Sequence, residues 1–347
     1  MKHLRSWWPA LALAIPLGVA ASLLDVVSPK TRDNVVLALV TLVFVVGLYL
    51  FVGNSGVLSL GHAGFAAVGA YFSALLTIPT VPKRALIPDL PAVLAHAHVH
   101  PIVGILAGGA LAAALGYLAG IPLMRLSGIS AGIATLALLA IVFNFVSNAT
   151  SFTGASGLLT RIPHATTVTL SLFFAVVAII VAFAHQRSAW GLKLRASRDD
   201  EVAARSLGIK VETERRRAFT LSAGLAGVYG ALLAHHLGSF GPSEFYLELT
   251  FLTIAMLVIG GLRSLAGAVT GVVVISCLLR VLDLLEESGH VGPLALKLPT
   301  GSRMIVLSVL MLGILALRPH GLTGGQELRP PRWLRGIEKG DTPSSRG

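Results

Sequence analysis

Apolar runs of about 17–22 residues recur along this chain, the length a helix needs to cross the hydrocarbon core of a bilayer. They lie near 7–24, 34–52, 62–78, 101–122, 128–148, 167–185, 217–237, 247–262, 265–285 and 302–318. Backbone polar groups in lipid must be satisfied within a helix or a closed barrel. The pattern therefore predicts an all-α polytopic membrane bundle of about ten transmembrane helices. Only 12% of the residues are charged, whereas a soluble domain carries about 25% and needs them to cover its surface. The 37 glycines suit helices that pack closely in lipid.

One run is interrupted. GNSGVLSLGHAG at 53–64 is too rich in glycine for a plain helix. It reads as a broken or re-entrant segment, which lipid tolerates only where protein or a water-filled path covers the backbone.

Charge sets the orientation. Lys2 and Arg5 place the N-terminus inside, and six crossings bring the 186–216 loop to the same side. That loop carries Arg187, Lys193, Arg195, Arg198, Arg205, Lys210, Arg215 and Arg216. Ten crossings return the C-terminus inside, with Arg329, Arg332, Arg335, Lys339 and Arg346. The net charge of +11 is thus read as cytoplasmic loops, not as a nucleic-acid surface. The opening MKHLRSWWPALALAIPLGVA has the look of a signal peptide; a retained first helix fits the parity better. Residues 1–325 form one membrane domain, and 326–347 form a polar tail, disordered or resting on lipid.

The charged loop has helix grammar. Ser197 and Asp200 match a capping box, and Asp199, Asp200 and Glu201 favour the positive end of a helix dipole. Glu201 and Arg205 are spaced for an i, i+4 pair, and Gly208 is a natural stop. A helix is expected over about 198–207. Val202, Ala203, Ala204 and Leu207 give it a small apolar face, and a helix so short needs a packing partner.

RASRDDEVAARSLGIKVETERRRAFTLSAGLAGVYGALLA resembles the cytoplasmic loop and following helix of the permease subunits of branched-chain amino-acid ABC importers. GLYLFVGNSGVLSLGHAGFAAVGAY resembles that family's early segment, with its core at Gly56, Ser59, Gly61 and His62. TGASGL at 153–158 resembles its short outer loop, VIGGLRSLAGAVTGVVV its late glycine segment, and RPHGLTGG its ending. The likeness runs in order from about 34 to 325, and the added first helix and tail suit the M-type of two related permeases. Arg263 departs from it, standing where the family usually has glycine.

The resemblance implies a permease subunit in a bacterial cytoplasmic (inner) membrane, with both termini cytoplasmic. Its partners would be a second permease, H-type or identical, two ABC ATPase subunits and an external solute-binding protein. The loop helix would couple it to the ATPases through Arg198, Asp199, Asp200, Glu201, Ala203, Ala204, Leu207 and Gly208. The pore would draw on Asn54, Ser55, Gly56, Ser59, Gly61 and His62, and on Thr153, Gly154, Ser156 and Gly157. Asn144 and Asn148 share a helix face and join that set; such polar groups either pair between helices or face water. Arg280 and Asp283 are spaced for an intrahelical pair.

No G-x-x-x-x-G-K-[ST] occurs, so ATP and Mg belong to partner subunits, and this chain is expected to bind no cofactor and to be no enzyme. The lone Cys277 offers neither disulfide nor metal cluster, and His96, His98 and His100 have no acidic or cysteine neighbours, which fits a solvated loop. Two G-x-S-G matches, at 53–56 and 154–157, raise an intramembrane serine protease, whose nucleophile needs a base within reach. A secondary carrier would need an acidic group near the midplane, whereas Asp25, Asp283, Glu286 and Glu287 fall near run ends. A urea, amide or sugar permease of the same ABC class is the nearest alternative.

Overall fold

The computed structural model describes residues 8, 12–14, 16–18, 29–154, 158–287, 290, 291, 294, 295, 305, 306, 309, 313 and 321–324. Eight of the ten apolar runs appear there as helices. Seven are long and apolar enough to cross a membrane. These include α1 (Pro29–Ser55), α5 (Pro101–Leu123), α6 (Gly128–Asn148) and α8 (Val168–Arg187). The others are α11 (Val211–Leu237), α12 (Leu247–Gly260, entered through a 3₁₀ turn at Pro242–Phe245) and α13 (Leu265–Glu287). The eighth run is the shorter α2 (His62–Thr77). The runs at 7–24 and 302–318 and the tail lie largely outside the described residues. The described β structure is a two-residue pair, β1 (His290–Val291) with β2 (Leu294–Ala295), and one bridge between Leu159 and Phe240.

Short helices fill the connections: α3 (Thr80–Leu86), α4 (Ala92–His96), α7 (Thr150–Thr153), α9 (Ala189–Asp199) and α10 (Glu201–Ser206). Local chemistry sets the ends. Thr167 caps α8 by accepting from Leu170 N–H, Ser188 caps α9 by accepting from Gly191 N–H, and Gly238 closes α11 in the left-handed region.

The core is built on α1 and α11. In α1, 83% of the apolar window is buried, against 28% in α6, so α1 is interior and α6 peripheral. Small residues bring α2, α5 and α11 together: a Cβ on Gly69 would meet the Gly227 backbone, and one on Gly108 would meet the Gly69 carbonyl. Van der Waals packing between backbones holds helices together where lipid supplies no hydrophobic drive.

Two distant stretches meet at the turn between α12 and α13. Gly261 takes φ +127 there, and Leu322 and Thr323 donate backbone N–H to the carbonyls of Ile259 and Gly260. The left-handed position is thus glycine's, and Arg263 is exposed in the turn without needing it.

The 79–100 loop packs over the other end of the bundle. Lys83 is fully buried, donating to the carbonyls of Leu94 and Ala97, and burial lowers its pKa from the ordinary lysine value. His96, His98 and His100 are exposed, and among the described residues no three potential metal ligands converge.

Candidate functional site

The charged loop folds differently from the expected single helix over 198–207. α9 continues through Asp199, and the chain breaks at Asp200, whose φ of −150 and ψ of 107 are extended. Ser197 is not the cap: its hydroxyl donates to Leu194 O, back along α9. Asp200 caps α10 instead, its Oδ1 accepting from Ala203 N–H at 2.9 Å. Buried Leu194 keeps α9 docked, so the break falls at the second capping residue rather than the first.

The stop is where the sequence placed it. Gly208 sits at φ +79, its N–H bonding Arg205 O at 3.0 Å while Ile209 N–H bonds Ala204 O at 3.1 Å. Those two bonds satisfy carbonyls that the six-residue helix would otherwise leave open.

Four charges lock α10 to α11. Glu201 pairs with Arg205 at 2.8 Å and with Arg215 at 2.7 Å, and Arg205 pairs with Glu212 at 2.7 Å. Arg215 is buried, so this is more than a solvated surface pair. The Arg205 hydrogen bond is the main cause that holds the Glu201 carboxyl below its ordinary pKa; Arg215 adds to it and partial burial opposes it. Ala204 is buried, while Val202 and Leu207 are 79% and 81% exposed. The small apolar face is therefore split: its alanine packs inward and its two large members point away from the bundle.

Arg198 ends α9 and turns to the bundle rather than outward. Its guanidinium donates to Gly53 O at 2.7 Å, near the C-terminal end of α1, and pairs with Asp199 at 3.2 Å. The carbonyl end of a helix favours a cation. The Arg198 stem covers Gly56, which closes α1 at φ +71.

From Gly56 the chain re-enters the bundle. Residues 56–61 are not helical, and α2 begins only at His62. Depth follows from the partner of His62: Ser222 lies eleven residues into α11, and Gly47, whose carbonyl Ser222 also meets, lies eight before the end of α1, about 12–16 Å of helix rise. The break read from the glycines over 53–64 is thus present but shorter: residues 53–55 end α1 and 62–64 begin α2, leaving 56–61 outside helix. Its backbone is met by side chains: Thr135 Oγ1 accepts from Leu60 N–H at 3.0 Å, and Ser55 Oγ accepts from Val57 N–H at 3.1 Å. Gly61 is required by close approach, since a Cβ would lie 2.6 Å from Thr135 O.

Asn54, Ser55, Ser59 and His62 are all buried beside this segment. Ser222 Oγ donates to Gly47 O at 2.6 Å, so its contact with His62 Nε2, also 2.6 Å, is a ring N–H donating to the serine oxygen. His62 Nδ1 then becomes an acceptor without a partner among the described residues, where Asn54 Oδ1 and Ser59 Oγ also lack one. Ser59 and His62 face Thr250 and Thr253 of α12 across a gap with no room for a water molecule. Each unsatisfied buried polar group costs about 1–3 kcal/mol.

The remaining sequence candidates lie elsewhere. Asn144 and Asn148 are exposed on α6, their amides donating to Ala140 O and Asn144 O on their own helix. Thr153 is buried, and Gly154 closes α7 at φ +77 under the 79–100 loop; Ser156 and Gly157 lie outside the described residues. Ser55 caps its own turn, and His62 is tied to Ser222, so among the described residues the 53–56 match has no serine–histidine pair. Arg280 and Asp283 make no ion pair with each other among the described residues. Sequence reading missed Thr135, Ser222, Thr250 and Thr253; each is an ordinary polar residue in an apolar run, and only tertiary register brings them to one place.

The family described as "Branched-chain amino acid transport system / permease component" matches residues 32–315. The chain is similar to the high-affinity branched-chain amino acid transport system permease protein LivM of Escherichia coli (strain K12), 29% identical over 85% of this chain and 70% of that protein. The LivM of Salmonella typhimurium is 28% identical over 84% of this chain and 70% of its own length. A probable branched-chain amino acid transport permease protein LivH of Methanocaldococcus jannaschii is 30% identical, over 44% of this chain and 46% of that one. No solved structure matches.

Proposed function

We propose that this chain, which belongs to the family of branched-chain amino acid transport system permease components, forms half of the translocation pathway of an ATP-driven importer. Its cargo is leucine, isoleucine, valine or a related hydrophobic amino acid. A second permease completes the pathway, two ABC ATPases bind and hydrolyse ATP with Mg, and an external binding protein delivers the solute. The chain makes ten crossings of the inner membrane with both termini cytoplasmic, and binds no cofactor itself.

One observation carries this reading. α10 is too short to persist alone, is locked to α11 by the Glu201–Arg215 pair, and presents Val202 and Leu207 outward. Such a rigid, apolar-tipped helix suits docking into a cleft of an ATPase. Closure of the ATPases pushes α10 as a rigid body. Arg198 passes the displacement to Gly53 and hence to the re-entrant 56–61 segment. Separation of that segment from α12 gives Asn54 Oδ1, Ser59 Oγ and His62 Nδ1 access to water or solute. Their unsatisfied state in the closed packing accounts for how a membrane core keeps them. The exposed Asn144–Asn148 face of α6 is directed at the second permease, since polar groups facing lipid are disfavoured.

The test is labelled-leucine uptake in the native host with the chain deleted and restored. Loss on deletion, recovery on restoration and dependence on ATP support the reading. Loss of urea or sugar uptake with leucine uptake intact would favour the neighbouring class of ABC permease.

A further inference from the structure

Only Ser188 separates α9 from the end of α8, and the eleven residues of α9 span about 16 Å before Arg198 meets Gly53 O near the end of α1. Both helix ends belong to one face of the membrane, so α9 lies along that face. Gly191, Leu194 and Ser197 turn to the bundle, while Trp190, Leu192 and Lys193 are exposed. Two exposed apolar stripes run down to this first turn. Ile180 and Ala184 of α8 lead to Arg187, and Leu221 of α11 leads to Arg217. The Arg217 guanidinium lies over the Trp190 indole, 5.1 Å from the ring centre, and its neighbour Arg216 lies over Tyr117 of α5 at 4.8 Å. Tryptophan and tyrosine gather at the level of lipid headgroups, and a cation over the ring face is attracted to it.

The charges around Trp190 do not cancel. Glu214 accepts from Nη1 of Arg217 at 3.0 Å, which leaves Nη2 and Nε open among the described residues. Lys193 makes no hydrogen bond or ion pair among the described residues. The other acids of the loop are taken: Glu201 by Arg205 and Arg215, Glu212 by Arg205, and Asp199, at the far end of α9, by Arg198. Arg195 is turned away to Gln186 O. Cations at the foot of lipid-facing apolar stripes are complementary to a molecule with an anionic head and apolar tails. We propose that Arg217, Lys193 and Trp190 hold an anionic phospholipid of the leaflet on the charged-loop side. Its phosphate meets the two cations, its glycerol lies beside the indole, and its acyl chains follow the Leu221 and Ile180–Ala184 stripes. A zwitterionic lipid brings its own ammonium to the same cations and is disfavoured. The site goes beyond the importer reading and depends only on the membrane placement of α8 and α11. It pins the first turn of α9, whose last turn holds α1 through Arg198.

The test places the full chain, with whatever subunits co-purify, in phosphatidylcholine nanodiscs. A minor share of the lipid carries brominated acyl chains, which quench nearby tryptophan, as either phosphatidylglycerol or phosphatidylcholine. The chain has four tryptophans, so the difference between it and Trp190→Phe reports Trp190 alone. Brominated phosphatidylglycerol is expected to quench Trp190 at a share roughly tenfold lower than brominated phosphatidylcholine. Lys193→Gln should reduce that preference roughly fivefold, the effect of one cation near a membrane surface, and Lys193→Arg should keep it. Lys193 is exposed and makes no contact of this kind within the chain, so both variants are expected to unfold at the unaltered temperature. Equal quenching by the two lipids overturns the headgroup assignment and leaves an interfacial tryptophan only. A preference that Lys193→Gln leaves unchanged overturns the place given to the phosphate. No quenching by either lipid shows Trp190 covered by protein and overturns the site, with the importer reading untouched.

Discussion

At the scale of single residues, the loop between α8 and α11 turns on Asp200, Gly208 and Glu201. Gly208 was legible as a stop because a left-handed closing residue has few alternatives. The start was not, because Ser197 and Asp200 can both cap and lie three apart; the docking of Leu194 decided between them. Asp200→Ala is expected to cost about 1 kcal/mol of local stability, seen as faster amide exchange across 201–206 with the bundle unchanged. Glu201 adds a pH dependence of defined sign. Its folded pKa is lowered, so its contribution is complete above the ordinary carboxylate value of about 4.3 and is lost as pH falls through the lowered one. Protection of the α10 amides, taken relative to their intrinsic exchange rate at each pH, should therefore fall on acidification in that range, and Glu201→Gln should remove the dependence.

At the scale of elements, the re-entrant segment separates what pattern reveals from what it hides. The twelve positions of GNSGVLSLGHAG contain four glycines, so a break was readable from the chain. The side chain that makes the break tolerable was not, because Thr135 lies on another helix and meets Leu60 only through the register of α6 against α2. Thr135→Val keeps the shape and removes the acceptor. It should destabilise the bundle by about 1–3 kcal/mol, read as a lower unfolding temperature in detergent. Arg198 is likewise an element-to-element contact. Sequence reading put it on the coupling helix, whereas its guanidinium holds the end of α1. Arg198→Ala should leave ATPase binding intact and uncouple it, so that ATP hydrolysis no longer responds to the loaded binding protein.

At the scale of the whole molecule, the succession of apolar runs and the concentration of charge between residues 186 and 216 told the class of the fold, because bilayer thickness and backbone satisfaction leave little choice. Which helices sit inside was not told. α1 and α6 are both strongly apolar, yet one is core and the other periphery. Glycine and alanine spacing decides this, through the approach of α2, α5 and α11, and that spacing acts only once the helices are paired. The same limit applied to α10. Ala204 looked like part of a docking face and is buried against the bundle, so a large side chain there would disturb the fold and the docking together. Val202 and Leu207 are free of that ambiguity. The most direct measurement is therefore co-purification of ATPase subunits from native membranes with the intact chain and with Val202→Asp/Leu207→Asp. The account predicts that the intact chain retains the ATPase and that the double variant, inserted and unfolding at the same temperature, loses it. Equal retention by both would contradict α10 as the coupling helix, and no retention by either would contradict the importer assembly itself.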